Sequence, residues 1–146
     1  MRIGDLAEST GTAVETIRFY ERQGLIPAAQ RADNNYRVYT AAHAERLAFI
    51  RQCRSLDMTL DEVRVLLRFK DQPTADCGEV NSLLDEHIGH VAERIQALCA
   101  LEKELRALRA ACPVPHAAAD CGILQGIDHA GAKPPTAARR HVRGAH

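Results

Sequence analysis

No stretch of this 146-residue chain is apolar for long enough to span a membrane, and its opening, MRIGDLAEST, lacks the apolar core of a secretory signal. A cytoplasmic protein with no membrane partner is expected. There is no internal repeat, no glycine-rich phosphate loop, no paired-acid motif and no nucleophile–base arrangement, so an enzyme is not expected. Net charge is also missing, with 19 Lys+Arg against 19 Asp+Glu. Its distribution is uneven: residues 1–70 carry 11 basic and 9 acidic side chains, residues 71–146 carry 8 and 10. The mild basic excess points to a nucleic-acid partner at the N-terminal end. What is present is an ordinary soluble composition, 46% apolar and 26% charged, enough for one or two small domains. Five cysteines in a cytoplasmic chain read as core residues, metal ligands or redox thiols rather than a disulfide framework.

Local patterns predict a mainly α protein. RIGDLAES puts Ile3, Leu6 and Ala7 on one helical face. Gly11 breaks that helix, and Thr12 with Glu15 forms a capping-box pattern opening a second, AVETIRFYERQ. Two short helices about a tight turn are a helix-turn-helix candidate, whose second helix enters the major groove. Ile17 anchors it to the core. Thr16, Arg18 and Tyr20 are the candidate DNA contacts, Arg18 suited to a guanine edge or a phosphate and Tyr20 to a phosphate. Asp33, Asn34 and Asn35 form a turn between Arg31 and YRVY, which predicts a hairpin, or wing, offering Arg31, Tyr36 and Arg37 to the DNA backbone. Phe19 and Tyr39 read as core. A second capping box, Thr59 to Glu62, opens a later helix.

A long helix is predicted from about Asp76 to Ala111, with an apolar line through Val80, Leu84, His87, Val91, Ile95, Leu98, Leu105 and Leu108. At 1.5 Å per residue it is roughly 54 Å long. It cannot fold back on itself, so the line calls for a partner, and a homodimer is expected. Pro113 and Pro115 end it, and CGILQGI can form one short helix.

The segments IGDLAESTGTAVETIRFYERQGLI, NNYRVYT and LAFIRQCRSLDMTLDEVRVLL resemble the MerR family of transcription regulators, with a match over about residues 1–127. The resemblance implies a winged helix-turn-helix, two connector helices, a long antiparallel dimerisation helix and an effector loop. Family members bind double-stranded promoter DNA, and effector binding distorts it so that RNA polymerase can use it. In the metal-sensing branch a cysteine begins the dimerisation helix and two flank the following loop. Cys77, Cys112 and Cys121 match those positions.

Copper-type members carry serine at the first position, so Cys77 implies a divalent ion. DMTLDEVRVLLRFKD, DCGEVNSLLDEHI and CGILQ look most like the lead and cadmium regulators. A zinc-type member usually pairs cysteines at the helix end, where this chain has Pro113. The nine-residue offset from Cys112 to Cys121 also occurs in mercury-type members. Three thiolates favour soft ions, with Pb²⁺ first, then Cd²⁺, then Hg²⁺ and Zn²⁺.

The expected division is residues 1–70 for the DNA-binding domain with its connectors, 71–111 for the dimerisation helix, 112–127 for the metal loop and short helix, and 128–146 for a disordered tail. Cys53 reads as core and Cys99 as core or interface. His116 is a possible fourth ligand. His87 with Asn81 or Glu62 could form a second site, and His129, His141 and His146 could scavenge metal. The rival function is a thiol redox sensor that cycles a Cys112–Cys121 disulfide. Cys77 separates the two readings, because a disulfide switch needs two thiols and a soft-metal site wants three.

Overall fold

The structure, a computed structural model, describes residues 1–134 and divides into two units, one ending at Leu83 and the other beginning at Leu84. His141 and His146 lie outside the described residues. In the first unit, α1 (Ile3–Thr10) and α2 (Val14–Arg22) are joined by a tight turn. Gly11 ends α1 at φ 64°, a left-handed conformation that costs glycine nothing, and Thr12 N–H donates to Ala7 O at 3.1 Å. The expected Thr12–Glu15 capping box does not form. Ala13 is the N-cap of α2, without a side-chain hydrogen bond, and Glu15 instead pairs with Arg18 at 2.9 Å.

The hairpin is present as β1 (Gln30–Arg31) and β2 (Arg37–Val38), antiparallel with Gln30 opposite Val38 and Arg31 opposite Arg37. Next come α3 (Ala41–Ser55) and α4 (Leu60–Lys70). The Thr59–Glu62 box forms as its spacing predicts: Glu62 N–H donates to Thr59 Oγ1 at 3.1 Å, and Thr59 N–H donates to the Glu62 carboxylate at 2.9 Å.

One core joins these elements, built from Leu6, Ile17, Leu25, Ile26, Tyr39, Leu47, Ile50, Cys53, Met58, Val63 and Leu67. Ile3 and Ala7 pack at its edge, as the periodicity of α1 requires. Cys53 is core, and burial pushes its thiol pKa up. Phe19 is not core: it is 37% exposed on the outer side of α2.

Much of the basic excess of this unit is spent internally. Arg51 donates to Thr10 O at 2.8 Å, Arg54 to Met58 O at 2.7 Å and Arg64 to Gln23 O at 2.6 Å, each satisfying a carbonyl near a helix end. Arg46 donates to Leu25 O at 2.7 Å and grips the Asp71 carboxylate with both terminal nitrogens, at 2.7 and 3.0 Å. These guanidiniums are structural, which narrows the set left for a ligand.

The long helix is α5 (Gly78–Ala110), and α6 (Gly122–Gly131) follows a short 3₁₀ turn at Ala118–Asp120. α6 runs four residues past the expected boundary at 127, so His129 sits in its last turn rather than in a loose tail. Along α5, Leu84, Ile88, Ile95, Leu98 and Leu105 are between 44% and 60% exposed. With half-buried Val91 their spacing is that of a coiled-coil seam. Ile88 belongs to this exposed stripe, whereas His87, placed on it from sequence, is buried within the chain. Cys99 is exposed, so it is not a core residue. No helix among the described residues is long and apolar enough to cross a membrane.

Candidate functional site

The first candidate lies on the N-terminal unit, where α1, α2 and the wing enclose a hollow of about 370 Å³. Arg2, Ile3, Arg18, Asn35, Tyr36, Arg37 and Tyr39 line it, giving three cations and no carboxylate. Arg18 projects from the exposed face of α2, opposite the buried Ile17. Arg37 projects from β2, its guanidinium 3.7 Å from Glu21 Oε1.

Glu21 ties the recognition helix to the wing. It accepts the Ala29 N–H at 3.1 Å and the Tyr39 hydroxyl at 2.8 Å. Burial acts to raise its pKa, but the Ala29 N–H, the Tyr39 hydroxyl and the charge of Arg37 outweigh it and hold the carboxyl below its ordinary value. Burial first, then Glu21, pushes the Tyr39 phenol up.

Buried His43 braces the same region. Thr40 N–H donates to Nδ1 at 3.0 Å, so the other nitrogen, Nε2, carries the proton toward Pro27 O at 3.1 Å. Its ring stands edge-on to Tyr39 at 5.1 Å.

Of the six residues read as DNA contacts, the structure brings Arg18, Tyr36 and Arg37 to the hollow. Arg31 lies outside the hollow's lining and holds the wing turn, donating to Asn35 O at 3.2 Å and Asn35 Oδ1 at 3.1 Å, where Asn35 takes φ 66°. Tyr20 packs against the core, and Thr16 is half-buried. Sequence reasoning missed Arg2, Glu21 and His43. Only Arg2 left a signal there, as a cation just ahead of the first helix.

The second candidate is the loop between α5 and α6. Past the end of α5, Arg109 Nη1 donates to Cys112 O at 2.8 Å. The Cys112 thiol faces Val114 O at 3.6 Å, and His116 Nε2 lies 3.9 Å from its sulfur. The 3₁₀ turn, pinned by Gln125 Nε2 to Ala119 O at 3.1 Å, returns the chain so that Cys121 opens α6.

Cys112 and Cys121 are neighbours there, close enough for each thiol to bias the other's ionisation. The backbone N–H of Leu124 lowers the pKa of Cys121 against the cost of desolvation, helped by the N–H of Ile123 and by the Cys112 thiol. Cys112 is pushed up, chiefly because it shares its proton with Cys121. Gly122 makes this placing possible. A Cβ at this position would lie 2.3 Å from Ala111 O, 3.1 Å from Ala111 C and 3.2 Å from Ala111 Cβ.

Cys77 is exposed just ahead of α5, where its carbonyl accepts the Asn81 N–H at 3.0 Å. The 33 residues of α5 run uninterrupted between Cys77 and Cys112, about 50 Å at 1.5 Å per residue. Among the described residues, no three His, Cys, Asp or Glu side chains converge to hold a metal ion. The donor chemistry of the loop still fits a soft cation: two neighbouring cysteine sulfurs with an imidazole 3.9 Å from one of them.

A helix-turn-helix braced to a two-stranded wing, with three arginines in the hollow between them, defines a DNA-binding transcription regulator. The sequence pattern of the MerR HTH family regulatory proteins matches residues 1–70, and that of the MerR DNA-binding segment matches residues 44–108. The chain belongs to the MerR family and is a regulator, not an enzyme. It is 46% identical over 109 residues to the HTH-type transcriptional regulator ZntR homolog of Haemophilus influenzae, covering 75% of this chain and 81% of that one. Two solved structures are similar. The regulator PbrR691 from Ralstonia metallidurans CH34, in complex with lead(II), is 47% identical with TM-score 0.78, covering 87% of this chain and 98% of the other. The regulator MerR from Bacillus megaterium MB1, in complex with mercury(II), is 30% identical with TM-score 0.67, covering 88% and 99%.

Proposed function

We propose that this protein is a metal-responsive regulator of a resistance-gene promoter. It binds the promoter as a homodimer through its recognition helices and wings, and it makes the promoter usable by RNA polymerase when a soft divalent ion binds. Cys112 and Cys121 of one protomer hold the ion together with the partner's Cys77. The single observation that carries this reading is the tight return at Gly122, which brings Cys121 at the start of α6 back against the end of α5, beside Cys112 and His116.

The uninterrupted α5 supports the cross-subunit assignment, since about 50 Å of helix cannot bring Cys77 to Cys112 within one chain. An antiparallel partner supplies the missing thiolate, and the exposed seam of α5 supplies the surface for it. Pb²⁺ is the first choice because three sulfurs on one side suit its lone pair and because a similar regulator was solved with lead(II). Cd²⁺ follows, then Hg²⁺ and Zn²⁺; zinc prefers four ligands, and His116 is the group placed to complete them.

The test mixes two inactive variants, Cys77→Ser and Cys112→Ser/Cys121→Ser. Their heterodimer has one complete cross-subunit set and is expected to recover one tight Pb²⁺ site per dimer. A confirmed heterodimer with no tight site refutes the assignment. In parallel, a promoter reporter titrated metal by metal is expected to answer to Pb²⁺ at the lowest concentration; a response to Zn²⁺ well below Pb²⁺ overturns the ranking. The placing of Cys112 and Cys121 on the two sides of one tight return also favours a second reading, a reversible disulfide sensor. That reading requires Cys77→Ser to keep its response, whereas the metal reading requires it to fail.

A further inference from the structure

We propose that Arg2 is a phosphate anchor of the DNA-binding surface, held face-on by the ring of Tyr36, and that Tyr36 acts on DNA through Arg2. The inference rests on the reading of the basic hollow as the DNA-facing surface. The Arg2 guanidinium lies over the Tyr36 ring, 4.7 Å from its centroid. A planar guanidinium stacked in this way keeps its N–H edge free to donate while its face is held, so little rotamer freedom is lost when a phosphate binds.

The backbone around Arg2 is fixed from both sides. Tyr39 N–H donates to Met1 O at 2.7 Å, and Met1 N donates to Tyr39 O at 2.9 Å, which pairs the chain ahead of α1 with the end of the wing. On the other side Arg2 N–H donates to the Asp5 carboxylate at 3.1 Å, which also keeps that carboxylate turned to the backbone. The two neighbouring cations are partly neutralised, Arg18 by Glu15 at 2.9 Å and Arg37 by Glu21 at 3.7 Å. Arg2 is in no ion pair with a described residue, so it is the cation of the hollow with the most charge left for an anion. Tyr36 is 55% exposed, and one face of its ring is covered by Arg2. The ring is therefore a platform, and its hydroxyl is not what binds.

The experiment titrates the full-length protein against a labelled duplex of its own upstream intergenic region, and against an unrelated duplex of equal length, across a salt series. Arg2→Ala is expected to weaken binding on the order of tenfold per half-site, as loss of a hydrogen bond to a charged group does. It should do so on both duplexes, because a phosphate contact carries no sequence information. The slope of log K against log salt should become shallower by about 1.8, which is about 0.9 for each of two contacts in a dimer. Arg2→Lys keeps the charge and should keep the slope. Tyr36→Ala should reproduce the Arg2→Ala loss, the double variant should be no weaker than either single one, and Tyr36→Phe should bind as the parent does. Arg2→Gln repeats the measurement if Arg2→Ala does not fold.

Parent-like affinity and slope in Arg2→Ala or Arg2→Gln overturns the proposal. So does full additivity in the double variant, or a Tyr36→Phe loss as large as that of Tyr36→Ala. Arg18→Ala and Arg37→Ala separate the two levels of the argument. If they weaken binding and Arg2 variants do not, only the anchor fails; if none of the three matters, the reading of the hollow fails.

Discussion

Gly122→Ala adds a single carbon at the point where the thiol loop closes. Its φ lies outside the left-handed region, so alanine is acceptable to the local backbone. In the first turn of α6, alanine even gains up to about 1 kcal/mol of helix propensity. Against this, the new Cβ would sit 2.3 Å from Ala111 O, a backbone atom that has no side-chain freedom to yield. Carbon and oxygen need roughly 3.2 Å, a spacing only slightly below ordinary carbon–carbon contact, so the return must open by roughly 1 Å. Forced opening of a packed contact costs about 1–3 kcal/mol, more than the propensity gain. If that cost falls on the metal-competent loop, affinity drops by roughly 5- to 150-fold, at 1.4 kcal/mol per tenfold. The core of the N-terminal unit shares no atom with this loop, so thermal unfolding followed by circular dichroism should show that unit unchanged. Gly126→Ala is the control: its Cβ would meet only Leu108 Cδ1 at 3.0 Å, the far end of a flexible side chain. Competition titration with a coloured chelator reads Pb²⁺ affinity for all three proteins. Gly122→Ala binding Pb²⁺ as tightly as the parent, with Gly126→Ala also unchanged, would show that the close return at Ala111 does not hold the two sulfurs together.

Two further outcomes are expected. Glu21 has a lowered folded pKa, so its contribution to stability is complete above the ordinary glutamate range and is lost as pH falls through its lowered value. The melting-temperature gap between Glu21→Gln and the parent should therefore be widest near neutrality and close in acid; a gap that does not vary with pH refutes the assignment of the ion pair and hydrogen bonds to Glu21. A charge on the exposed seam of α5, Ile95→Glu or Leu98→Glu, should convert a dimer to monomer in sedimentation velocity, while the isolated chain, which leaves both side chains more than half exposed, keeps its helix content.

The parts legible in the sequence are those fixed by neighbours a few positions away. The Thr59–Glu62 box, the turn at Asp33–Asn35 and the core face of α1 depend on spacing alone, and all three form. The Thr12–Glu15 box has the same spacing and does not form because α2 takes Ala13, one position later, as its N-cap. Phe19 looked like core by residue type, but α2 has one buried face and Ile17 takes it. His87 and Ile88 are adjacent, and periodicity could not say which of them the chain buries and which it leaves on the seam. α6 runs on to Gly131 through residues whose glycine and alanine composition also suits a tail, so composition does not mark its end. At the two sites the limit is of another kind. Cys112, Cys121, Arg18 and Arg37 could be named from motif positions, whereas Glu21, His43 and Arg2 owe their roles to groups 8 to 34 positions away. The oxygen that makes Gly122 irreplaceable is likewise supplied by Ala111, across the loop.

The bracing of α2 against the wing has a mechanical consequence. With Glu21 holding the Ala29 N–H and the Tyr39 hydroxyl, and His43 bridging Thr40 and Pro27, the second helix and the hairpin are tied into one unit. Under the proposed function such a unit reaches DNA in one piece, and any strain on the duplex is then set by how two of them are carried in the dimer, as with a wrench whose torque comes from the handle and not from the grip.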